Sequence, residues 1–169
     1  LIRDMLIQGA SVDSSGVGER LITASSEAAF GGVYKLSAVE DKNGEITPKI
    51  KISENTAKIT LPGVKGVYRL YDNETNIAMA DVICLKGETI EAPFTLFDPV
   101  HTWKRKTVTD FTAVALRKQI FENGELVYEL PKLSEIAEYS KTAVSTLWDE
   151  VKRFEKPHTY YVDLSEDLW

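Results

Sequence analysis

The chain of 169 residues is short of the features that mark secreted and membrane proteins. It has one cysteine, Cys84, so no disulfide can form within it. A lone cysteine in an apolar stretch, here residues 81–85, is typical of a small buried core residue. No apolar run approaches the roughly 18 residues of a membrane-spanning helix, and no signal peptide is recognisable. These absences indicate a reducing, cytoplasmic location.

Basic residues are also in deficit. The chain has 20 Lys and Arg against 26 Asp and Glu, which gives a formal net charge of −6. A general nucleic-acid binder needs an excess of positive charge on the face that meets the phosphate backbone, so this class is disfavoured. A local basic pocket for a small phosphate-bearing molecule stays compatible with the composition.

Recognisable catalytic motifs are missing as well. His101 and His158 are isolated, with no second ligand at metal-binding spacing, which indicates structural or surface roles. Ser14 and Ser15 lack a Gly-x-Ser-x-Gly context, so a serine hydrolase is disfavoured. A dinucleotide fingerprint is not supported, because Leu21 stands where the third glycine of Gly-x-Gly-x-x-Gly would be. The residues therefore predict no catalytic residue and no metal site.

The first residues predict a helix that is already under way. Apolar positions in residues 1–8 have helical spacing, and Gly9 is a typical helix end. A short extended segment, residues 10–13, and a glycine-containing turn follow. Such a start predicts that the chain is part of a longer protein, although a short native terminal helix is the alternative.

The rest of the chain alternates strand signals with turn signals and has one helical stretch. Asn43-Gly44 and Asn123-Gly124 are typical of hairpin turns. Apolar residues at helical spacing predict a helix over residues 133–154. We expect its side chains to pack on the sheet rather than to bind a partner; those concerned are Leu147, Trp148, Val151 and Phe154. Strands are predicted at residues 31–39, 46–52, 67–71, 77–85, 94–97, 111–121, 125–130 and 160–164.

One segment has a pattern suited to binding chemistry. In Gly16-Val17-Gly18 the absence of two side chains lets backbone N–H groups approach an anion closely. A helical turn starting at Glu19 would strengthen that preference, and Arg20 could add a bidentate phosphate contact. Most Gly-x-Gly pairs are ordinary turns, so that interpretation stands beside the anion-binding one.

Several segments, in order, resemble the nicotinate phosphoribosyltransferases. Residues 13–23 (DSSGVGERLIT) are similar to the family's D-S-x-G-V-G-T-x-L-I-T. Several matching segments in the family's order make the resemblance specific, whereas any one of them alone would not. Together they cover nearly the whole chain. The other matching segments are residues 29–36 (AFGGVYKL), 48–53 (PKIKIS), 58–65 (KITLPGVK), 67–70 (VYRL) and 161–169 (YVDLSEDLW).

The resemblance implies an α+β fold. It would comprise a remnant of the last part of a type II phosphoribosyltransferase α/β barrel, followed by a mainly β C-terminal module with one long helix. Residues 1–27 would be the end of the barrel with a phosphate-binding loop. Residues 28–169 would contain strands returning to the small domain, plus the C-terminal domain.

The resemblance also implies an activity. The family joins nicotinate to 5-phosphoribosyl 1-pyrophosphate, giving nicotinate mononucleotide and pyrophosphate, and ATP hydrolysis through a phosphohistidine drives the reaction. By resemblance, Gly16, Val17 and Gly18 are backbone donors to substrate phosphate, with Ser15 and Arg20 beside them. ATP and Mg²⁺ would serve the parent enzyme, a cytoplasmic homodimer without nucleic-acid or membrane partners. Neither ATP nor Mg²⁺ is expected to bind the 169 residues alone.

Two features qualify that assignment. The family usually has Thr where this chain has Glu19, whose carboxylate would repel phosphate unless it points away. The phosphorylated histidine and the arginines that hold nicotinate are expected upstream, so the 169 residues alone should show no turnover. The alternatives are a non-catalytic interaction or oligomerisation module over residues 45–169, and an enzyme acting on nicotinamide or quinolinate.

Overall fold

The computed structural model describes residues 2–29, 31–55, 58–101 and 103–169 of the chain. Leu1 of the predicted first helix and Phe30 of the family-like segment 29–36 lie outside the described residues. The chain divides into two compact units, Leu1–Lys35 and Leu36–Trp169. The assignment of residues 1–27 to the end of a barrel stays a prediction.

Two short helices make up the regular structure of the first unit. They are α1, Ile2–Ile7, and α2, Glu19–Ile22. Gly9 follows α1 with a φ of +78°, which glycine adopts without strain, so the predicted helix end is confirmed. The extended segment at residues 10–13 forms no strand, since no described segment pairs with it.

The second unit begins with a small antiparallel sheet of two strands. These are β1, Ala38–Glu40, and β2, Ile46–Pro48. Both are shorter than the strands predicted at residues 31–39 and 46–52. Among the described strands they pair only with each other, and a two-stranded ladder gives little support to the residues beyond it.

Both predicted Asn-Gly turns are confirmed. At the first, the carboxylate of Asp41 accepts the N–H of Asn43 at 2.9 Å, and Gly44 has a φ of +84°. At the second, Asn123 and Gly124 have φ values of +50° and +86°, the positive pair that a type I′ hairpin turn requires. The strands beside the second turn are β8, Phe121–Glu122, and β9, Glu125–Leu126.

A six-stranded sheet forms the body of the second unit. The structure confirms the strands predicted at residues 67–71, 77–85 and 94–97. The strand predicted at residues 160–164 forms over three residues only. Of the strand predicted at residues 111–121, the first five residues form a strand. The six strands are β3 (Lys65–Asp72), β4 (Ala78–Leu85), β5 (Phe94–Phe97), β6 (Arg105–Val108), β7 (Phe111–Ala115) and β10 (Val162–Leu164).

The strand order places the end of the chain in the middle of the sheet. The order is β6-β5-β10-β4-β3-β7, with β10 parallel to β4 and antiparallel to β5. Leu164 pairs with Ile83 on one side and with Phe97 on the other. Among the described strands, β10 is therefore what joins the β5–β6 hairpin to the other three.

One face of the sheet carries the main core. Alternate residues of β4 point to this face, as the period of two in a strand requires, and Ala80 and Val82 are 1% and 0% exposed. Each large apolar side chain fully buried here contributes about 1.5–3 kcal/mol relative to exposure. The buried cluster consists of Leu70, Ala80, Val82, Leu96, Val108 and Phe111.

The long helix ends earlier than predicted. Helix α3 spans Leu133–Ser145, whereas the apolar spacing predicted residues 133–154. At its end the hydroxyl of Ser145 donates to the carbonyl of Thr142 at 2.7 Å. The carbonyl of Thr146 accepts the N–H of Ala78 from β4 at 2.8 Å, so it is no longer available to a further helical turn.

This early end changes which side chains pack. Leu147, Trp148 and Val151 are partly buried, and the ring of Trp148 lies 5.4 Å from that of Tyr160. Phe154, however, is 91% exposed, so the prediction that it packs on the sheet was wrong. The helical phase that would have turned it inward is lost beyond Ser145. The sheet with its one long helix confirms an α+β fold.

Candidate functional site

The glycine loop predicted to bind phosphate lies in the first unit and leads into α2. Gly18 is the residue before the helix, with extended backbone angles (φ −97°, ψ −177°). Its carbonyl accepts the N–H groups of Leu21 and Ile22 at 3.1 and 3.4 Å, so the predicted helical turn after the loop is present. The turn contains only four residues, which limits its dipole.

The two loop glycines are not required by backbone strain. Neither Gly16 nor Gly18 has a positive φ, and a Cβ built on either would meet nothing within 4 Å. The backbone conformation of the loop therefore does not by itself explain glycine at these two positions. A need for glycine here would have to come from the close approach of a ligand or of another segment.

The N–H groups of the loop are available to a ligand. Among the described residues, no carbonyl or side chain accepts a hydrogen bond from the N–H of Gly16, Val17 or Gly18. Exposed N–H groups in sequence can bind an anion. This arrangement is compatible with phosphate binding, and the assignment stays a prediction.

The other two predicted contacts, Ser15 and Arg20, lie at the ends of the loop. Ser15 lines a cleft of about 240 Å³ together with residues of α1, including Met5 and Leu6. The lining does not include Gly16, Val17, Gly18 or Arg20. Arg20 is exposed in the first turn of α2, next to Glu19. Within the described part of the chain its guanidinium forms no ion pair, so it is free to meet an anion.

Cys84 and the two histidines have structural surroundings. Cys84 is fully buried, and burial raises the pKa of its thiol, so the predicted core role is confirmed. His101 lies in a loop that Asp98 organises by accepting the N–H groups of Val100 and His101, each at 2.8 Å. His158 is exposed, and its backbone N–H donates to the carbonyl of Glu150 at 3.0 Å. No group of metal-ligating side chains occurs among the described residues.

The sequence reasoning missed a polar cluster on the second unit's sheet. Arg69 of β3 and Asp81 of β4 form a two-pronged ion pair at 2.8 and 2.9 Å, and the hydroxyl of Tyr160 donates to Asp81 at 3.0 Å. Hydrogen bonding to Asp81 raises the pKa of Arg69, and burial, followed by the charge of Asp81, raises that of Tyr160. Arg69 therefore stays charged while Tyr160 stays protonated.

A signal for half of this cluster was present in the sequence. Asp81 is a charge inside an otherwise apolar strand, and Arg69 stands in the preceding predicted strand. An antiparallel register across the intervening turn pairs these two residues directly. Tyr160 gave no such signal, because it lies 79 positions from Asp81.

The fold of the second unit and the loop before it define the general class of the protein. The second unit is a mainly β, α+β domain whose last strand completes the middle of its own sheet, and it follows a glycine loop with unpaired N–H groups. A family model described as the nicotinate phosphoribosyltransferase C-terminal domain matches residues 64–169. The chain belongs to this family.

Individual relatives agree with the family model. The chain is 44% identical over 170 residues to a nicotinate phosphoribosyltransferase from Bacillus subtilis, covering 99% of this chain and 34% of the relative. It is 32% identical over 166 residues to one from Caenorhabditis elegans, covering 96% and 28%. The chain thus spans about a third of the length of these relatives.

A solved structure is also similar. The crystal structure of human nicotinic acid phosphoribosyltransferase matches with a TM-score of 0.57 at 29% sequence identity, covering 64% of this chain and 22% of that one. The likeness confirms the α+β fold with one long helix. No helix in the described ranges is long and apolar enough to cross a membrane.

Proposed function

We propose that this chain is the C-terminal part of a nicotinate phosphoribosyltransferase. The parent enzyme forms nicotinate mononucleotide and pyrophosphate from nicotinate and 5-phosphoribosyl 1-pyrophosphate, with ATP hydrolysis, in NAD biosynthesis. The observation that carries the proposal is the 44% identity to the Bacillus subtilis relative over 99% of this chain. The match runs through both the glycine loop and the six-stranded sheet.

In this proposal the glycine loop is part of the phosphate site. The N–H groups of Gly16, Val17 and Gly18 would donate to phosphate oxygens, with Ser15 and Arg20 at the ends of the loop. Their lack of acceptors among the described residues supports this role. Glycine at positions 16 and 18 would keep side chains out of the phosphate's way, since the backbone itself does not require it.

The remaining parts of the catalytic machinery would lie in the rest of the enzyme. We assign neither Mg²⁺ nor ATP to the described residues, which include no group of three or more metal-ligating side chains. The second unit would stabilise the enzyme, with the end of the barrel formed by residues 1–27. A homodimer in the cytoplasm, without nucleic-acid or membrane partners, completes the proposal.

A chimera tests the function directly. In it, residues 1–169 replace the matching 170 residues of the Bacillus subtilis relative, and nicotinate mononucleotide formation is measured. We expect the chimera to be active and the 169-residue chain alone to show no turnover. A stable chimera that binds nicotinate but makes no product would count against the proposal, as would turnover by the isolated chain.

The same chimera tests the loop. Gly18→Ala should weaken the apparent affinity for 5-phosphoribosyl 1-pyrophosphate by roughly tenfold, about 1.4 kcal/mol, with little change in that for nicotinate. Gly87→Ala is unsuitable as a control because Gly87 has a φ of +93°. Gly32→Ala is the matched control, because it too has open space around a built Cβ and no positive φ. Equal effects of both substitutions would remove the loop from the phosphate site.

A further inference from the structure

A basic cleft lies on the second unit where β5, β6 and β10 meet. Its volume is about 210 Å³, and its lining includes the consecutive residues Lys104, Arg105 and Lys106. Arg105 is already engaged, since its guanidinium lies 5.0 Å from the centre of the Phe97 ring. Among the described residues neither lysine forms an ion pair, although the chain as a whole is acidic. Two ammonium groups thus border the cleft without a close ion pair among the described residues.

The same cleft contains a carboxyl group that no internal hydrogen bond uses. Asp163 of β10 is half-buried in its wall, and within the described ranges no donor binds its oxygens. Burial, and then the charge of Asp98, raises the pKa of Asp163, while Lys106 lowers it. Asp98 instead accepts two backbone N–H groups of its own loop. Asp163 is therefore the acceptor that a bound hydroxyl would reach.

A second cleft lies next to the first and has aromatic residues in its lining. It is about 350 Å³ in volume and shares Lys106 and Tyr161 with the first, and its lining also includes Trp148. The Trp148 and Tyr161 rings are 6.2 Å apart, and Tyr161 is 52% exposed. This cleft alone falls in the range of about 300–1,000 Å³ that is typical of small-molecule sites. We call these two neighbouring clefts, which share Lys106 and Tyr161, the trough; its lining includes cations, an acceptor and aromatic rings.

We propose that this trough binds a nucleoside monophosphate. Lys104 and Lys106 would hold the phosphate, Asp163 would accept a ribose hydroxyl, and the base would stack on Tyr161 beside Trp148. Ammonium groups suit phosphate as point charges, and any nucleobase can stack on an aromatic ring. The site uses only residues of the second unit, so it stands independently of the proposed loop and of the proposed activity.

Binding by the 169-residue chain tests the proposal without any enzyme assay. Adenosine 5′-monophosphate is titrated by calorimetry and by tryptophan fluorescence, beside ribose 5-phosphate and adenosine. We expect saturable binding of the nucleotide, at least roughly tenfold tighter than that of either fragment, or about 1.4 kcal/mol. Quenching should be lost in Trp148→Phe, because the other two tryptophans do not line the trough.

Matched variants separate this site from general charge attraction. Lys106→Gln and Tyr161→Ala should each weaken binding by roughly tenfold, whereas Lys141→Gln, an exposed lysine on α3, should leave it unchanged. If Tyr161→Ala unfolds, the exposed Lys106→Gln still decides the question. The proposal fails if the nucleotide does not saturate the chain, if Lys141→Gln weakens binding as much as Lys106→Gln, or if ribose 5-phosphate binds as tightly as the nucleotide.

Discussion

The two units differ in what holds them in shape. In the first unit no described side chain is buried, and Leu21 and Ile22 of α2 are 70% and 80% exposed. The second unit contains the buried cluster and the six-stranded sheet. Because none of its described side chains is buried, this unit of 35 residues has little hydrophobic stabilisation of its own, and its described structure depends on local hydrogen bonds.

The two units also differ in what their residues contribute. The family-like glycine loop lies in the unit without a described buried side chain, and its N–H groups have no acceptor among the described residues. The second unit has its own core and a tail strand that closes the sheet. Substitutions in the loop of the first unit should therefore affect phosphate binding, whereas substitutions of buried residues in the second unit should first affect folding.

The largest effect is expected from removing the tail. Deletion of residues 160–169 removes β10 and Tyr160, and so separates the β5–β6 hairpin from the rest of the sheet. We expect the loss to be comparable with the whole stability of a domain, about 5–15 kcal/mol. Deletion of residues 1–35 is the contrasting variant and should leave a cooperative transition. Urea unfolding followed by circular dichroism measures both, and an intact transition in the tail deletion would contradict the role given to β10.

Next in size is a core substitution. Leu70 is 0% exposed, and Leu70→Ala should cost about 2–5 kcal/mol, because it removes apolar contacts and leaves a cavity. The same change at Leu21, 70% exposed in the first unit, should stay within about 0.5 kcal/mol. Equal changes in the urea midpoint would contradict this difference in burial between Leu70 and Leu21.

A smaller effect is expected at the polar cluster. Asp81→Asn should cost about 1–3 kcal/mol, because it leaves the guanidinium of Arg69, which is 20% exposed, without its anion. Tyr160→Phe should cost about 1 kcal/mol, since only one hydrogen bond to Asp81 is lost. In a double-mutant cycle the two losses should not add. Strict additivity would mean that Tyr160 does not act through Asp81.

The smallest effect is a pH dependence carried by Tyr160. Its pKa in the folded chain is raised above the ordinary value of 10.0, first by burial and then by Asp81. Above that ordinary value the unfolded chain loses this proton while the folded chain keeps it. Rising pH therefore stabilises the unfolded state relative to the folded state. The stability that Tyr160 contributes is complete below pH 10 and falls as the pH rises through the folded pKa. Above pH 10 the free energy of unfolding should fall less steeply in Tyr160→Phe than in the unsubstituted chain. Parallel curves for the two chains would contradict the role given to Tyr160.

Much of this arrangement was predictable from local patterns. Short runs of strand-forming residues between turn signals predicted β3, β4 and β5. The Asn-Gly pairs predicted both turns, because these residues favour tight turns. The helix was placed correctly at its start, but its end was decided by the bond from Ala78 to Thr146, a contact across the chain. The predicted loop residues were found next to a helical turn, as expected, whereas the cluster around Tyr160 was missed.

The sequence by itself determined the strand-forming segments, the turns, the burial of Cys84 and the family to which the chain belongs. These follow from neighbours in the chain, from composition and from ordered motifs. Only the tertiary structure decided that β10 enters between β4 and β5, that Tyr160 meets Asp81, and that Lys106, Asp163 and Tyr161 line one trough. Those residues are far apart in sequence, and their meeting depends on how the whole sheet lowers its free energy by burying one face.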